Sequence, residues 1–120
     1  MRMTQFSGAI LMLLGVALGA FGAHALAPGF DARALGWWNT AVQYQFIHAV
    51  GLIAIGAVIR RGMALASVLL FAGTVIFCGT LYLLALGGPL WLGMVTPAGG
   101  TLMLGGWVAA AIAFWRGIPR

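Results

Sequence analysis

Charged residues are missing from long stretches of this chain, and the lengths of those stretches set most of what it can fold into. No Asp, Glu, Lys or Arg occurs between Arg2 and Asp31, between Arg33 and Arg60, or between Arg61 and Arg116, gaps of 28, 26 and 54 residues. A helix needs about 20 predominantly apolar residues to cross a hydrocarbon core of roughly 30 Å. The first two gaps each hold one such helix. The third is too long for one and suits two with a turn. Gly87-Gly88-Pro89 supplies the turn, and Thr96-Pro97 reads as an N-cap followed by proline at the first helical position. The spacing predicts an all-α membrane protein. Its single domain, 1–120, has four transmembrane helices, at about 4–26, 37–59, 64–86 and 97–115, in an up-down bundle.

Composition agrees. The chain is 63% hydrophobic and 6% charged, with nineteen glycines, whereas soluble domains carry about a quarter charged residues. So few charges cannot cover a soluble protein of this length, so the partner in bulk is the lipid bilayer. A net charge of +5 raises the question of nucleic acid, but the arginines form no basic face. They follow membrane orientation instead. Arg2, Arg60, Arg61, Arg116 and Arg120 share one side of a four-helix serpentine, and Arg33, offset by Asp31, is on the other. Basic residues concentrate on the cytoplasmic side, so both termini are expected there. Trp37, Trp38 and Trp91 would then mark the outer interface and Trp115 the inner one. The first segment also has features of a secretory signal, with small residues around Ala23-His24-Ala25. Its apolar run is longer than a signal core, so it is read as a retained helix.

Small residues mark packing faces. Gly8, Gly15, Gly19 and Gly22 fall within a sector of about 60° on a helical wheel, and Gly15 and Gly19 make a Gly-x-x-x-Gly unit. The last helix has a comparable set of small residues in Gly99, Gly100, Gly105 and Gly106. Contact within the bundle is the simpler use of both stripes, and contact between protomers the alternative. Gly73-Thr74 and Gly79-Thr80 place hydroxyls that can bond back to the preceding turn. The single cysteine, Cys78, excludes an intrachain disulfide and reads as a core residue.

Polar chemistry is concentrated in Asn39-Thr40-Ala41-Val42-Gln43-Tyr44-Gln45-Phe46-Ile47-His48. On a helix, Asn39, Thr40, Gln43, Tyr44 and His48 share one half of the circumference and Gln45 projects away from them. Lipid offers such groups no partner, so they are expected to face the bundle interior or another protein. Two uses compete for His48: hydrogen bonding to another helix together with Gln43, or service to a ligand, proton or metal. His24 lies in the first segment, about eight residues of helix rise from the depth of His48, or a dozen ångströms or more. No third ligand completes a metal shell, so no metal site is expected.

Several activities are excluded by what is missing. Asp31 is the only carboxylate and lies outside the membrane core, so a small four-helix proton-coupled exporter has no embedded acid to work with. Paired-carboxylate acid–base catalysis is likewise ruled out. Gly-x-Ser-x-Gly, His-Glu-x-x-His and phosphate-loop motifs do not occur. The chain is expected not to be an enzyme and to need no cofactor.

Four blocks, in order, resemble one family. They are Gly19-Ala20-Phe21-Gly22-Ala23-His24-Ala25-Leu26; Trp38 through Gln45 with His48-Ala49; Gly79-Thr80-Leu81-Tyr82-Leu83-Leu84-Ala85-Leu86; and Thr96-Pro97-Ala98-Gly99-Gly100. Together they look like the domain-of-unknown-function 423 family, also called the transmembrane protein 256 family. The resemblance implies a small multi-pass protein of the bacterial inner membrane and carries no activity with it. The leading reading is a non-enzymatic scaffold or accessory subunit that forms a homo-oligomer or joins a larger membrane complex. The rival is a binder or conductor of a small solute, lipid headgroup or proton, with Gln43, Tyr44 and His48 lining its pocket. A haem or quinone protein using His24 and His48 is the weakest of the three.

Overall fold

The computed structural model describes residues 2–58 and 60–117, and the regular structure in them is helical throughout. Four α-helices follow one another: α1 (Arg2–Phe21), α2 (Ala32–Gly56), α3 (Met63–Ala85) and α4 (Leu92–Arg116). After α1 the backbone widens into a π turn, Gly22–Leu26, and tightens into a 3-10 turn, Ala27–Gly29, which holds Pro28.

Two helices begin earlier than the spans at 37–59 and 97–115. The first does so as Asp31 itself suggests, since it can cap a helix through 32–35 that either lies on the outer surface or extends the second span. Asp31 sits in extended backbone and its Oδ1 accepts from the Ala34 N–H at 2.7 Å. This cap satisfies one of the donors orphaned at a helix start, so α2 begins at Ala32 and the piece before Trp37 extends it outward. At α4, Thr96 is not the N-cap. Helix already runs from Leu92, and Pro97 lies inside it. Thr96 Oγ1 instead bonds back to Leu92 O at 3.1 Å. Pro97 cannot donate to the carbonyl of Gly93, an exposed residue in the first turn, where the loss is cheapest. The predicted end at Ile59 lies outside the described residues. Gly62 and Gly87, each at φ 94°, make the turns before α3 and after it, a conformation that costs a residue with a Cβ.

Arg2–Gly29, Met63–Ala85 and Leu92–Arg116 are long and apolar enough to cross a membrane. α2 has the length, 25 residues, but Asn39, Gln43, Gln45 and His48 dilute its hydropathy.

The helices pack in chain order: α1 on α2, α2 on α3, α3 on α4. No comparable packing joins α1 to α4 among the described residues, so the expected bundle is open along one side. Glycine sets how closely the neighbours approach. A Cβ on Gly8 would lie 2.7 Å from Ala49 O, one on Gly15 2.9 Å from the Phe46 ring, and one on Gly22 would overlap the Trp38 indole. Gly19 is looser, 3.4 Å from Val42. Between α3 and α4 the backbones themselves meet. A Cβ on Gly99 would stand 2.5 Å from Phe77 N, and one on Gly73 2.7 Å from Gly99 O. Gly106 lies under Leu70, at 2.7 Å, whereas Gly105 meets only Leu69 at an ordinary 3.9 Å. Both glycine stripes therefore face partners within the chain. In a bilayer such contacts replace the hydrophobic drive that lipid cannot supply.

Two apolar clusters result. The larger, near the α2–α3 turn, joins Leu11, Leu52, Ile55, Met63, Leu70 and Ala110 from all four helices. The smaller, toward the Asp31 end, holds Ala41, Cys78, Leu81 and Leu84.

Candidate functional site

The polar stretch of α2 is a junction, but the side of it that faces inward differs from the one expected. Gln45 is buried, 3% exposed. Its Nε2 donates to Leu11 O of α1 at 2.8 Å, and its Oε1 accepts from the Tyr82 hydroxyl of α3 at 2.6 Å. One carboxamide thus ties three helices together. About two turns earlier, the Trp38 indole N–H donates to Leu18 O at 3.0 Å, just ahead of the π turn. Gly22 gives that indole its seat. Tyr82 also packs edge-on against Trp38, with ring centroids 4.7 Å apart.

His48 closes the junction toward α4. Its Nδ1 is 2.8 Å from Tyr44 O, and the Trp107 indole N–H points at its Nε2 from 3.1 Å. A carbonyl only accepts and an indole N–H only donates. Those partners assign the proton to Nδ1 and the lone pair to Nε2, a neutral imidazole with both nitrogens satisfied. Gly51 makes room, since a Cβ there would lie 2.9 Å from the Trp107 ring. Further along α3, the Thr80 hydroxyl meets that of Thr96 at 2.6 Å and links α3 to α4. Cys78 Sγ is 3.3 Å from Ala41 O, a weak S–H donor in the core.

Tyr44, His48 and Trp107 also border a groove of about 470 Å³ with Phe77, Pro97 and Thr101. Aromatic rings form much of its wall: Tyr44 lies parallel to His48 and tilts against Phe77 at 4.8 Å. Tyr44 is 39% exposed, and its hydroxyl has no hydrogen-bond partner among the described residues. The Thr101 hydroxyl is occupied by Pro97 O at 2.9 Å. A groove of this kind can take a flat, largely apolar molecule with one acceptor.

The expected set therefore separates. Tyr44 and His48 share the groove. Thr40 is half-buried and does not line it. Asn39 and Gln43 are exposed on the outside of α2, and Gln43 neither lines the groove nor bonds across with His48. The reason is geometric: α1 and α3 pack on the Gln45 side of α2, which makes that side the interior. His24 is exposed in the π turn. Its neighbour Gly22 sits on Trp38, ten residues and so about 15 Å of helix from His48, and the two histidines are not brought together. No three residues of His, Cys, Asp or Glu cluster among the described residues. Tyr82, Trp107 and the Thr80–Thr96 pair are not foreseen from spacing. Gln45 itself carried the available signal, because a carboxamide at that depth must find a partner wherever it points.

Comparison with known proteins gives a consistent result. A family described as "Protein of unknown function (DUF423)" matches residues 18–100. A UPF0382 membrane protein of Staphylococcus haemolyticus is 38% identical, over 97% of this chain and 98% of its own. The UPF0382 membrane protein YwdK of Bacillus subtilis is also 38% identical, over 94% and 96%. The UPF0382 inner membrane protein YgdD of Escherichia coli K12 is 40% identical, over 96% and 91%. No solved structure is significantly similar to the chain.

Proposed function

The chain belongs to the DUF423 family, and its relatives include an inner membrane protein; from that premise we propose a non-enzymatic scaffold or accessory subunit. In this reading all four helices span the bilayer, with both ends of the chain in the cytoplasm, and the protein self-associates or joins a larger membrane complex. It uses no cofactor. The observation that supports it is how α2 uses its buried polar groups. Gln45 and His48 direct every side-chain bond they make at α1, α3, α4 or the α2 backbone, so these groups act as fasteners rather than reagents. Apart from Asn39 and Gln43 on α2, the outer faces carry apolar residues such as Leu13, Val16, Leu104 and Val108, and suit lipid or neighbouring protein.

The test compares His48→Ala with the parent protein. Its oligomer state or partner recovery in mild detergent is expected to change, while solute and proton flux in liposomes stay at background. A pH-dependent flux lost on that substitution would sink this reading. It would favour the rival, a binder or conductor of a small solute, lipid or proton, which the open groove and the free Tyr44 hydroxyl support. A purified protein without a Soret band removes the haem class.

A further inference from the structure

A second groove lies at the opposite end of the molecule from Asp31, where the chain turns from α2 into α3 and where α4 ends. It has a volume of about 270 Å³. Arg61 and Arg116 stand at its end, and Leu65, Ala109 and Ile112 line it further along the helices. The small side chains of Ala109 and Ala113 and the bare Gly62 create the depression. Leu65 and Ile112 remain about half exposed on its sides.

The charges there have no counterpart among the described residues. The only acidic side chain, Asp31, caps α2 at the far end. Arg60, beside Arg61, has a buried Nε with no hydrogen-bond partner among the described residues. Gly62 leaves the first turn of α3 without a side-chain cap, and the positive end of a helix dipole favours the same sign of ligand. Membrane orientation alone requires arginines on one side. It does not require an apolar groove running between two of them.

From these observations we infer that this groove binds one anionic phospholipid, its phosphate held by Arg61 and Arg116 and an acyl chain laid along Leu65 and Ile112. Guanidinium groups match phosphate oxygens in number and geometry, and basic pockets between membrane helices are suited to acidic headgroups. A zwitterionic lipid brings its own cation to the arginines and gains less. The site needs only that this end of the molecule lie at a membrane surface, and it stands whether or not the chain self-associates.

Native mass spectrometry of the full chain, extracted from vesicles of equal phosphatidylglycerol and phosphatidylcholine, tests it. The parent protein is expected to retain phosphatidylglycerol over phosphatidylcholine by about tenfold, from two arginine contacts at the surface. Arg61→Gln with Arg116→Gln should bring the two lipids to parity, and Arg33→Gln at the other end should change nothing. Leu65→Trp keeps both arginines but fills the groove, and should cut retention as strongly. Melting curves in the same detergent verify that each variant is folded. Equal retention of both lipids by the parent protein, or selectivity unchanged in the double variant, overturns the proposal. Undiminished binding in Leu65→Trp, or full displacement by glycerol 3-phosphate, assigns the arginines to a free phosphate group instead and overturns it too.

Discussion

The two halves of α2 are held by different forces. From Trp38 to His48 its side chains hydrogen-bond to α1 through Leu11 and Leu18, to α3 through Tyr82 and to α4 through Trp107. From Leu52 to Gly56 it makes no buried side-chain hydrogen bond to another helix among the described residues. There it is gripped by Leu11, Met63, Leu70 and Ala110. The hydroxyls nearby, Ser67 and Thr74, are spent on their own helix, at Met63 O and Leu70 O. The contrast shows how polar and apolar contacts divide the work in lipid. Close packing supplies most of the cohesion, and hydrogen bonds, worth about 0.6 kcal/mol each in a membrane, mainly decide which surfaces meet.

That division predicts an order of effects, each measurable by reversible unfolding in mixed micelles. Gly99→Leu should be the most damaging. Its side chain would enter the α3 backbone at Phe77, which cannot yield as a flexible side chain does, so a loss of about 3 kcal/mol or more is expected, to the point of misfolding. Leu52→Ala should follow at about 2–3 kcal/mol, because Leu52 is fully buried and its removal leaves a cavity. Gln45→Leu removes two inter-helix bonds from the polar half and should cost about 1 kcal/mol. Trp107→Phe removes the donor to His48 and trims the ring seated on Gly51, and with Trp107 37% exposed it should cost less than about 1 kcal/mol. Should Gln45→Leu prove worse than Leu52→Ala, hydrogen bonds and not packing hold this helix. Should it leave stability nearly intact while crosslinks between α1 and α3 become heterogeneous, its bonds select which surfaces meet and add little cohesion.

Much of the architecture could be read from charge alone. The intervals between arginines locate the helices, and Gly87-Gly88-Pro89 marks the break between the last two. The start of α4 could not be read, because Thr96-Pro97 has the local chemistry of a helix start. In the structure helix already runs from Leu92, and the Thr96 hydroxyl is spent on the Leu92 carbonyl within it. The candidate site was legible in its residues but not in its facing. In water, the polar side of a helix is the outside and periodicity sorts inside from outside. In lipid both sides are apolar, so the wheel grouped Asn39 and Gln43 with His48 but could not say which side met α1. Gln45 marks the side that meets α1 and α3, and of the five grouped opposite it only His48 is buried. Trp107, 59 positions beyond His48, has no sequence relation to it that spacing could expose.

The chain-order packing has a consequence for how this protein is made. Each helix finds its main partner in the helix synthesised just before it, and none must wait for a distant one. Contacts of low sequence separation form early and fast. As each hairpin leaves the ribosome, Gly8, Gly15 and Gly22 already present α2 with its docking face, and Gly73 later does the same for α4. Assembly can therefore keep pace with translation, one helix at a time, with α4 docking on α3 as the last step.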